Sequence, residues 1–516
     1  MKNKLLSTLL LLTIGIPTIN ANVQLSKIFG NHMVLQQEQP IRIWGTADPG
    51  EEVTAELAGK KASAKACMEG HFRIDLPAMK ADGKSHTLTV SGKNKITLKD
   101  VQFGEVWICS GQSNMEWSVT GALNPKEEVA AADHPKIRLF DVPGHVQGPT
   151  PLNDPRGSWQ ICSPKTVGRF SAVGYYFGRE LQKTLNVPVG LVGTNWGGTR
   201  IEPWTPAVGF QQVPNLKDYQ DNLAAIDPKS SKGKENYENY IAGVEKWVAS
   251  AKSNLEAGKP TGSAPQMNIT PKGGATFIYN GMVNALTPLS VRGAIWYQGE
   301  SNAGDGLRYE YLKEALVKGW RTVFENQDLS FYWVQLANFQ GPNNNPAGGG
   351  WGTVREGQRR ALRIPKTGMA VIIDIGEARD IHPKNKQDVG KRLALWALAK
   401  DYGKDIVYSG PLYKSMKVEG EKIRISFDHV GGGLITAKKE GLAPAKPTKE
   451  ELTHFAIQND TGSWHWADAK IDGDTVVVSA KGVKKPKHVR FGYQSNPEGI
   501  NLYNMEGLPA SPFTTD

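Results

Sequence analysis

Residues 106–117 read VWICSGQSNMEW. Positions 106–109 form a short apolar run of strand type, Ser110-Gly111 interrupt it, and the residues beyond are able to open a helix. A corner of this kind lifts Ser113 clear of its sheet. A serine hydroxyl is a poor nucleophile at neutral pH, so a reactive one needs an adjacent base, and acyl transfer also needs donors aimed at the developing oxyanion.

Around that stretch, residues 104–407 alternate strand and helix signals. Strands are expected at 106–109, 137–142, 187–192, 294–297, 331–336 and 369–375, and helices at 172–185, 309–324, 353–362 and 387–402. Near-continuous apolar strands divided by helices predict a parallel sheet covered on both faces, with ligands outside the carboxyl ends of its strands. Residues 22–103 instead carry short Val-, Ile- and Thr-rich segments (41–44, 52–57, 71–76, 86–90) between turn residues, which predicts an N-terminal β-sandwich module. It runs into Val106 without a linker and is expected to dock rigidly. Residues 408–516 return to strand signals and predict a second β-rich module. A polar insertion at about 207–273 holds one helical stretch near 237–251, with 230–234 expected to be mobile. The runs at 343–345 (NNN) and 348–350 (GGG) predict an exposed loop by the site mouth.

A chain of 516 residues exceeds one ordinary core, so two to four domains are expected. Residues 1–21 have Lys2 and Lys4, an apolar run from 5 to 16, and Ala21 as a cleavage residue, the pattern of a secretory signal. This predicts a secreted or periplasmic protein with no membrane span after cleavage. Losing Lys2 and Lys4 with the leader lowers the formal charge from +10 to +8. That surplus is mild and the lysines are scattered, which argues against a nucleic-acid partner. Cys67, Cys109 and Cys162 cannot all pair and lack zinc spacing, so packing carries the fold, with a Cys109–Cys162 bridge left open.

Four segments just past strand ends carry the polar groups that acyl transfer needs. They are GQSNM at 111–115, GTNWGGT at 193–199, WYQGESN at 296–302 and RDIHP at 379–383. In this order they resemble the blocks of the SGNH (GDSL-like) hydrolase superfamily, and more narrowly the sialate O-acetylesterase family. The resemblance spans the chain to its ending NLYNMEGLPASPFTTD. It implies an α/β fold with a three-layer α/β/α catalytic domain flanked by N- and C-terminal β-sandwich-type modules. It also implies removal of O-acetyl groups from a sugar or glycan, O-acetyl sialic acid foremost, through a serine acyl-enzyme, with no metal and no cofactor. Acetylated xylan and other glycans are the alternative substrates.

Carried over residue by residue, the resemblance makes Ser113 the nucleophile, His382 the base and Asp380 its orienting acid. The oxyanion donors it implies are the N–H groups of Ser113 and Gly198 and the side-chain amide of Gln298. The chain departs from the wider superfamily twice. Arg379 stands three residues before the histidine, where many relatives have the acid, and Gln298 replaces a common asparagine, leaving Asn302 as the competing donor. Asn302, Arg200 and Trp204 are candidates for contact with the sugar, Arg200 and Trp204 equally for packing. His134 and His145 are the rival histidines. The reading from another class is a non-catalytic glycan-binding protein that uses some of the 14 tryptophans as sugar platforms.

Overall fold

The computed structural model describes residues 22–516, so the leader reading falls outside the described residues. A single 17-residue strand, Lys95–Gly111, runs through two architectures. Its first half pairs antiparallel with His86–Ser91 and parallel with Val34–Gln36 in the N-terminal module. Its second half is an inner strand of the central sheet, between Val189–Asn195 and Gly293–Tyr297, both parallel to it. Alternation of exposed and partly buried residues gives way to continuous burial along this one strand, as expected when a half-solvated sheet becomes a covered one.

The central sheet runs Trp159–Cys162, His134–Asp141, Val189–Asn195, Lys95–Gly111, Gly293–Tyr297, Ser330–Gln335 and Thr367–Val371. Trp159–Cys162 is antiparallel to its neighbour, and the other six strands are mutually parallel. The chain leaves Lys95–Gly111 to build one side of the sheet and returns past it to build the other. The carboxyl end of that strand is therefore the switch point, where such sheets leave a crevice.

Aromatic packing fixes the helices on the sheet. Trp107 meets Phe177 of helix Ala172–Leu185 edge-on at 5.0 Å and stacks on Tyr332 at 5.8 Å. Trp296 meets Trp320 of helix Tyr309–Val323 at 6.2 Å and Trp204 at 5.9 Å. All of these tryptophans are fully buried, and truncating one to alanine costs about 3–5 kcal/mol in a packed core. At the amino end of the long strand's buried half, the buried carboxylate of Glu105 accepts hydrogen bonds from Gln36, Gln37, Arg292 and Tyr402. One side chain thereby ties the N-terminal module, the sheet and the end of helix Lys386–Lys400 together.

Three features singled out in the sequence take definite form. Residues 230–234 open a helix: Ser230 caps Ser231–Glu256 by accepting the Gly233 N–H at 2.8 Å, supplying an acceptor that the first turn lacks. The loop at 343–350 docks on the C-terminal module, with Gly349 N–H bonded to Tyr493 O and Gln494 Nε2 to Asn343 O. Cys109 and Cys162 are both buried and free, and Cys67 is exposed and free, so no bridge forms.

Gly111, the last residue of the long strand, has φ +146°, and a Cβ there would stand 2.1 Å from Tyr297 O. Neither a side chain nor a shift of the neighbouring backbone is tolerated. Gly111→Ala is expected to cost on the order of 3 kcal/mol or more. Chemical denaturation of the purified variant beside the wild type checks this.

Candidate active site

Ser113 opens the short helix Ser113–Glu116 directly past Gly111, and the Gln112 N–H bonded to Tyr297 O at 3.0 Å pins the turn to the adjacent strand end. His382 comes from the segment between strand Thr367–Val371 and helix Lys386–Lys400. Its Nε2 lies 2.9 Å from Ser113 Oγ. Trp117 stacks on the imidazole at 4.8 Å with 17° between the planes, which fixes the ring's orientation. Asp380 Oδ1 is 3.5 Å from His382 Nδ1 and accepts the His382 backbone N–H at 2.9 Å. The acid therefore holds the loop more tightly than the ring. Asn114 ties the two segments together: its Nδ2 donates to Ile381 O at 3.0 Å and to Glu300 Oε1 at 2.5 Å.

The Gly197-Gly198 turn lies against Ser113. A Cβ on Gly197 would sit 3.3 Å from Ser113 Cβ, and Gly198 has φ +73°. Among the described residues the N–H groups of Ser113 and Gly198 have no acceptor. The third block is arranged differently from the sequence expectation. Gln298 Nε2 donates to Thr199 O at 3.1 Å and Asn302 Oδ1 at 2.7 Å, which occupies both of its protons. Asn302 Nδ2 donates to Glu202 and Asp305. Neither amide has a proton to spare, and Asn302, fully buried, offers no surface to a sugar. Trp204 is likewise in the core, with Nε1 bonded to Thr199 Oγ1 at 2.9 Å, so both are corrected from sugar contacts to packing residues. Arg200 is partly exposed but bonded to Ser301 O, Glu202 and Asp305. His134 packs near Tyr175, away from these contacts, whereas His145 reaches Glu116.

The family model described as carbohydrate esterase, sialic acid-specific acetylesterase, matches residues 103–256 and 265–398. The chain belongs to this family. The sialate O-acetylesterase of Rattus norvegicus is 31% identical over 77% of this chain and 78% of its own, and that of Mus musculus 30% identical over 75% of each. A carbohydrate acetylesterase of Xanthomonas citri superposes with a TM-score of 0.78 at 34% identity, covering 96% of this chain and 99% of its own. This chain is accordingly a carboxylic ester hydrolase of the sialate O-acetylesterase type.

The esterase has features around His382 that the motifs did not disclose. Lys386, fully buried, donates to Asn114 Oδ1 and lies 5.1 Å from the Tyr297 ring and 5.9 Å from the Trp117 ring. Burial lowers its pKa to about 7. Burial and then the Lys386 charge hold the His382 pKa below its ordinary value. The C-terminal module braces the same loop. Asn338 Nδ2 donates to Asn496, Gly376 N–H donates to Asn338 Oδ1, and Asn385 Nδ2 donates to Gly441 O. Lys439 pairs with Asp388 at 2.7 Å. Trp117 stands inside the opening motif, so only its partner was hidden. Lys386 gave no signal, because its burial depends on three distant segments. Among the described residues no group of three or more His, Cys, Asp and Glu side chains has metal-binding geometry.

A base must be neutral to accept a proton, and a depressed pKa keeps His382 neutral to lower pH. Lys386, with its pKa near 7, is already protonated when His382 titrates. The acid limb of kcat/KM is therefore expected below pH ~6.5, the ordinary histidine value, and Lys386→Met is expected to move it upward. Paired pH–rate profiles check this, and an unmoved or lowered limb in the variant contradicts it. The loose 3.5 Å contact of Asp380 implies that Asp380→Ala loses only about ten- to hundredfold in kcat/KM, against ~10⁴ for a tightly bonded triad acid. Steady-state kinetics on an aryl acetate measure it.

Proposed function

We propose that this protein is an exported carbohydrate esterase that hydrolyses O-acetyl esters on sugars, O-acetyl sialic acid foremost, through an acyl-enzyme on Ser113. The observation that carries the reading is the 2.9 Å contact between Ser113 Oγ and His382 Nε2, made by residues 269 positions apart. The leader-like residues 1–21 support export to the periplasm or beyond. The catalytic unit is taken as residues 104–407 in an SGNH-type three-layer α/β/α arrangement, between β modules at 22–103 and 408–516. The 103/104 boundary is one of fold and not of chain flexibility, because Lys95–Gly111 crosses it unbroken.

With its proton on Nδ1 toward Asp380, His382 accepts the Ser113 hydroxyl proton at Nε2 as Oγ attacks the acetyl carbonyl carbon. The N–H groups of Ser113 and Gly198 stabilise the oxyanion. Collapse breaks the ester C–O bond, His382 returns its proton to the departing sugar hydroxyl, and an acetyl-serine remains. Water, deprotonated by the same imidazole, releases acetate. Gln298 and Asn302 act one layer out, fixing the Thr199 and Ile201 backbone beside the glycine turn. The Xanthomonas citri relative, described only as a carbohydrate acetylesterase over nearly the whole chain, favours a second reading in which acetylated xylan or another glycan is the substrate.

Ser113→Ala is expected to lower kcat on 4-nitrophenyl acetate by about 10³-fold or more, and a serine-directed organophosphonate to label the wild type but not the variant. Retained turnover removes Ser113 from the mechanism. An unlabelled wild type favours the glycan-binding alternative. Acetate release from a panel of acetylated sialosides and xylo-oligosaccharides ranks the two substrate classes.

A further inference from the structure

One helical turn beyond the nucleophile, Glu116 is engaged at both carboxylate oxygens. Oε2 accepts the Gly197 N–H at 2.7 Å, and Oε1 is 2.7 Å from His145 Nε2. The His145 ring in turn stacks on Trp196, with centroids 4.9 Å apart and planes within 5°. Trp196 precedes Gly197, and its own N–H donates to Gly111 O at 3.0 Å. The contacts close a circuit from Glu116 through His145 and Trp196 to Gly197 and back to Glu116. The circuit lies directly beside Ser113, since a Cβ on Gly197 would meet Glu116 Oε2 at 3.0 Å and Ser113 Cβ at 3.3 Å.

We propose that Glu116 is the positioning residue of the oxyanion turn: it takes the Gly197 N–H out of play and holds the next donor, Gly198 N–H, at a fixed distance from the carbonyl that Ser113 attacks. The inference rests on the reading of Ser113 as nucleophile and Gly198 as donor. Neither Glu116 oxygen bonds the Ser113 hydroxyl or His382, so Glu116 is neither a base nor an alternative triad acid. The side chains of Glu116 and His145 are 36% and 44% exposed, and a contact so placed adds little stability. What the arrangement supplies is geometry. An oxyanion donor acts only at hydrogen-bond distance from the developing charge, and removing one costs about 10²–10³-fold in kcat. Displacement by about 1 Å has been worth up to ~10²-fold. Gln keeps an acceptor oxygen for the Gly197 N–H and a second polar atom for His145, whereas Asp keeps the charge but falls one methylene short.

The test compares Glu116→Ala, Glu116→Gln, Glu116→Asp and Ser113→Ala in the full chain. For each, kcat and KM on 4-nitrophenyl acetate, the rate of organophosphonate labelling and the thermal midpoint are measured. The proposal expects Ala and Asp to lose about ten- to hundredfold in kcat with KM within about twofold. It expects the labelling rate to fall in parallel, because phosphonylation uses the same hole, and the thermal midpoint to move by no more than about 2–4 °C. Gln should recover to within about threefold of wild type. Full kcat in Ala or Asp overturns the proposal, as does an equal loss in Gln and Ala, which would assign the effect to charge. Should Ala fail to fold, the Asp and Gln pair decides alone. Activity retained by Ser113→Ala refutes the underlying reading. An inactive Ser113→Ala beside an unimpaired Glu116→Asp refutes only the positioning role.

Discussion

Ser113 stands just past the end of a strand that belongs to two sheets at once. Lys95–Gly111 is hydrogen-bonded into the N-terminal module over its first half and between two parallel neighbours over its second. A slip of one residue would turn every side chain of its buried half to the opposite face, so register along this strand is fixed by the whole core. Glu105 locks that register at mid-strand through partners from three parts of the chain, and removing one partner of such a buried pair costs about 3–5 kcal/mol. The N-terminal module is thus part of the machinery that sets the height of Ser113.

The imidazole beside Ser113 arrives from the other side by a longer route. His382 sits on a loop that no regular hydrogen-bond ladder holds, so its position is built from individual contacts. Trp117 covers the ring, Asn114 grips Ile381 O, Asp380 turns the backbone at His382, and Asn385 starts the next helix by accepting the Asp388 N–H. Residues 114 and 117 belong to the turn that carries Ser113. Serine and imidazole therefore register against each other, and Lys386 beneath Asn114 couples that registration to the charge state of the imidazole.

Much of this was legible because local signals and burial agreed. Helix Ala172–Leu185 appears where the apolar spacing predicts it, and the central strands fall within a few residues of their apolar runs. The Lys60–Lys65 strand, KKASAK, has no β-branched or aromatic residue and gave no signal, its place being set by pairing with Glu52–Leu57. Ser113, His382 and the glycine turn, each singled out from its own block, come together in space. Trp204 and Asn302 were misplaced because nearness in sequence to a site motif does not say whether a side chain points to the crevice or to the core. The amide protons of Gln298 could not be assigned from sequence, since Thr199 O and Asn302 Oδ1 reach them only in three dimensions.

Arg355 carries a consequence of its own. Fully buried on helix Trp351–Arg360, it donates to the carbonyls of Leu336 and Ala337 behind the central sheet and to those of Gln494 and Ser495 in the C-terminal module. Among the described residues no carboxylate pairs with it. A guanidinium satisfied only by main-chain oxygens from both sides of a seam makes the seam inseparable: excising the C-terminal module would strand a cation in apolar surroundings with half its acceptors gone. Truncated forms would be expected to misfold or lose turnover for that reason, and a deficit seen in them would say nothing about whether the missing module touches carbohydrate.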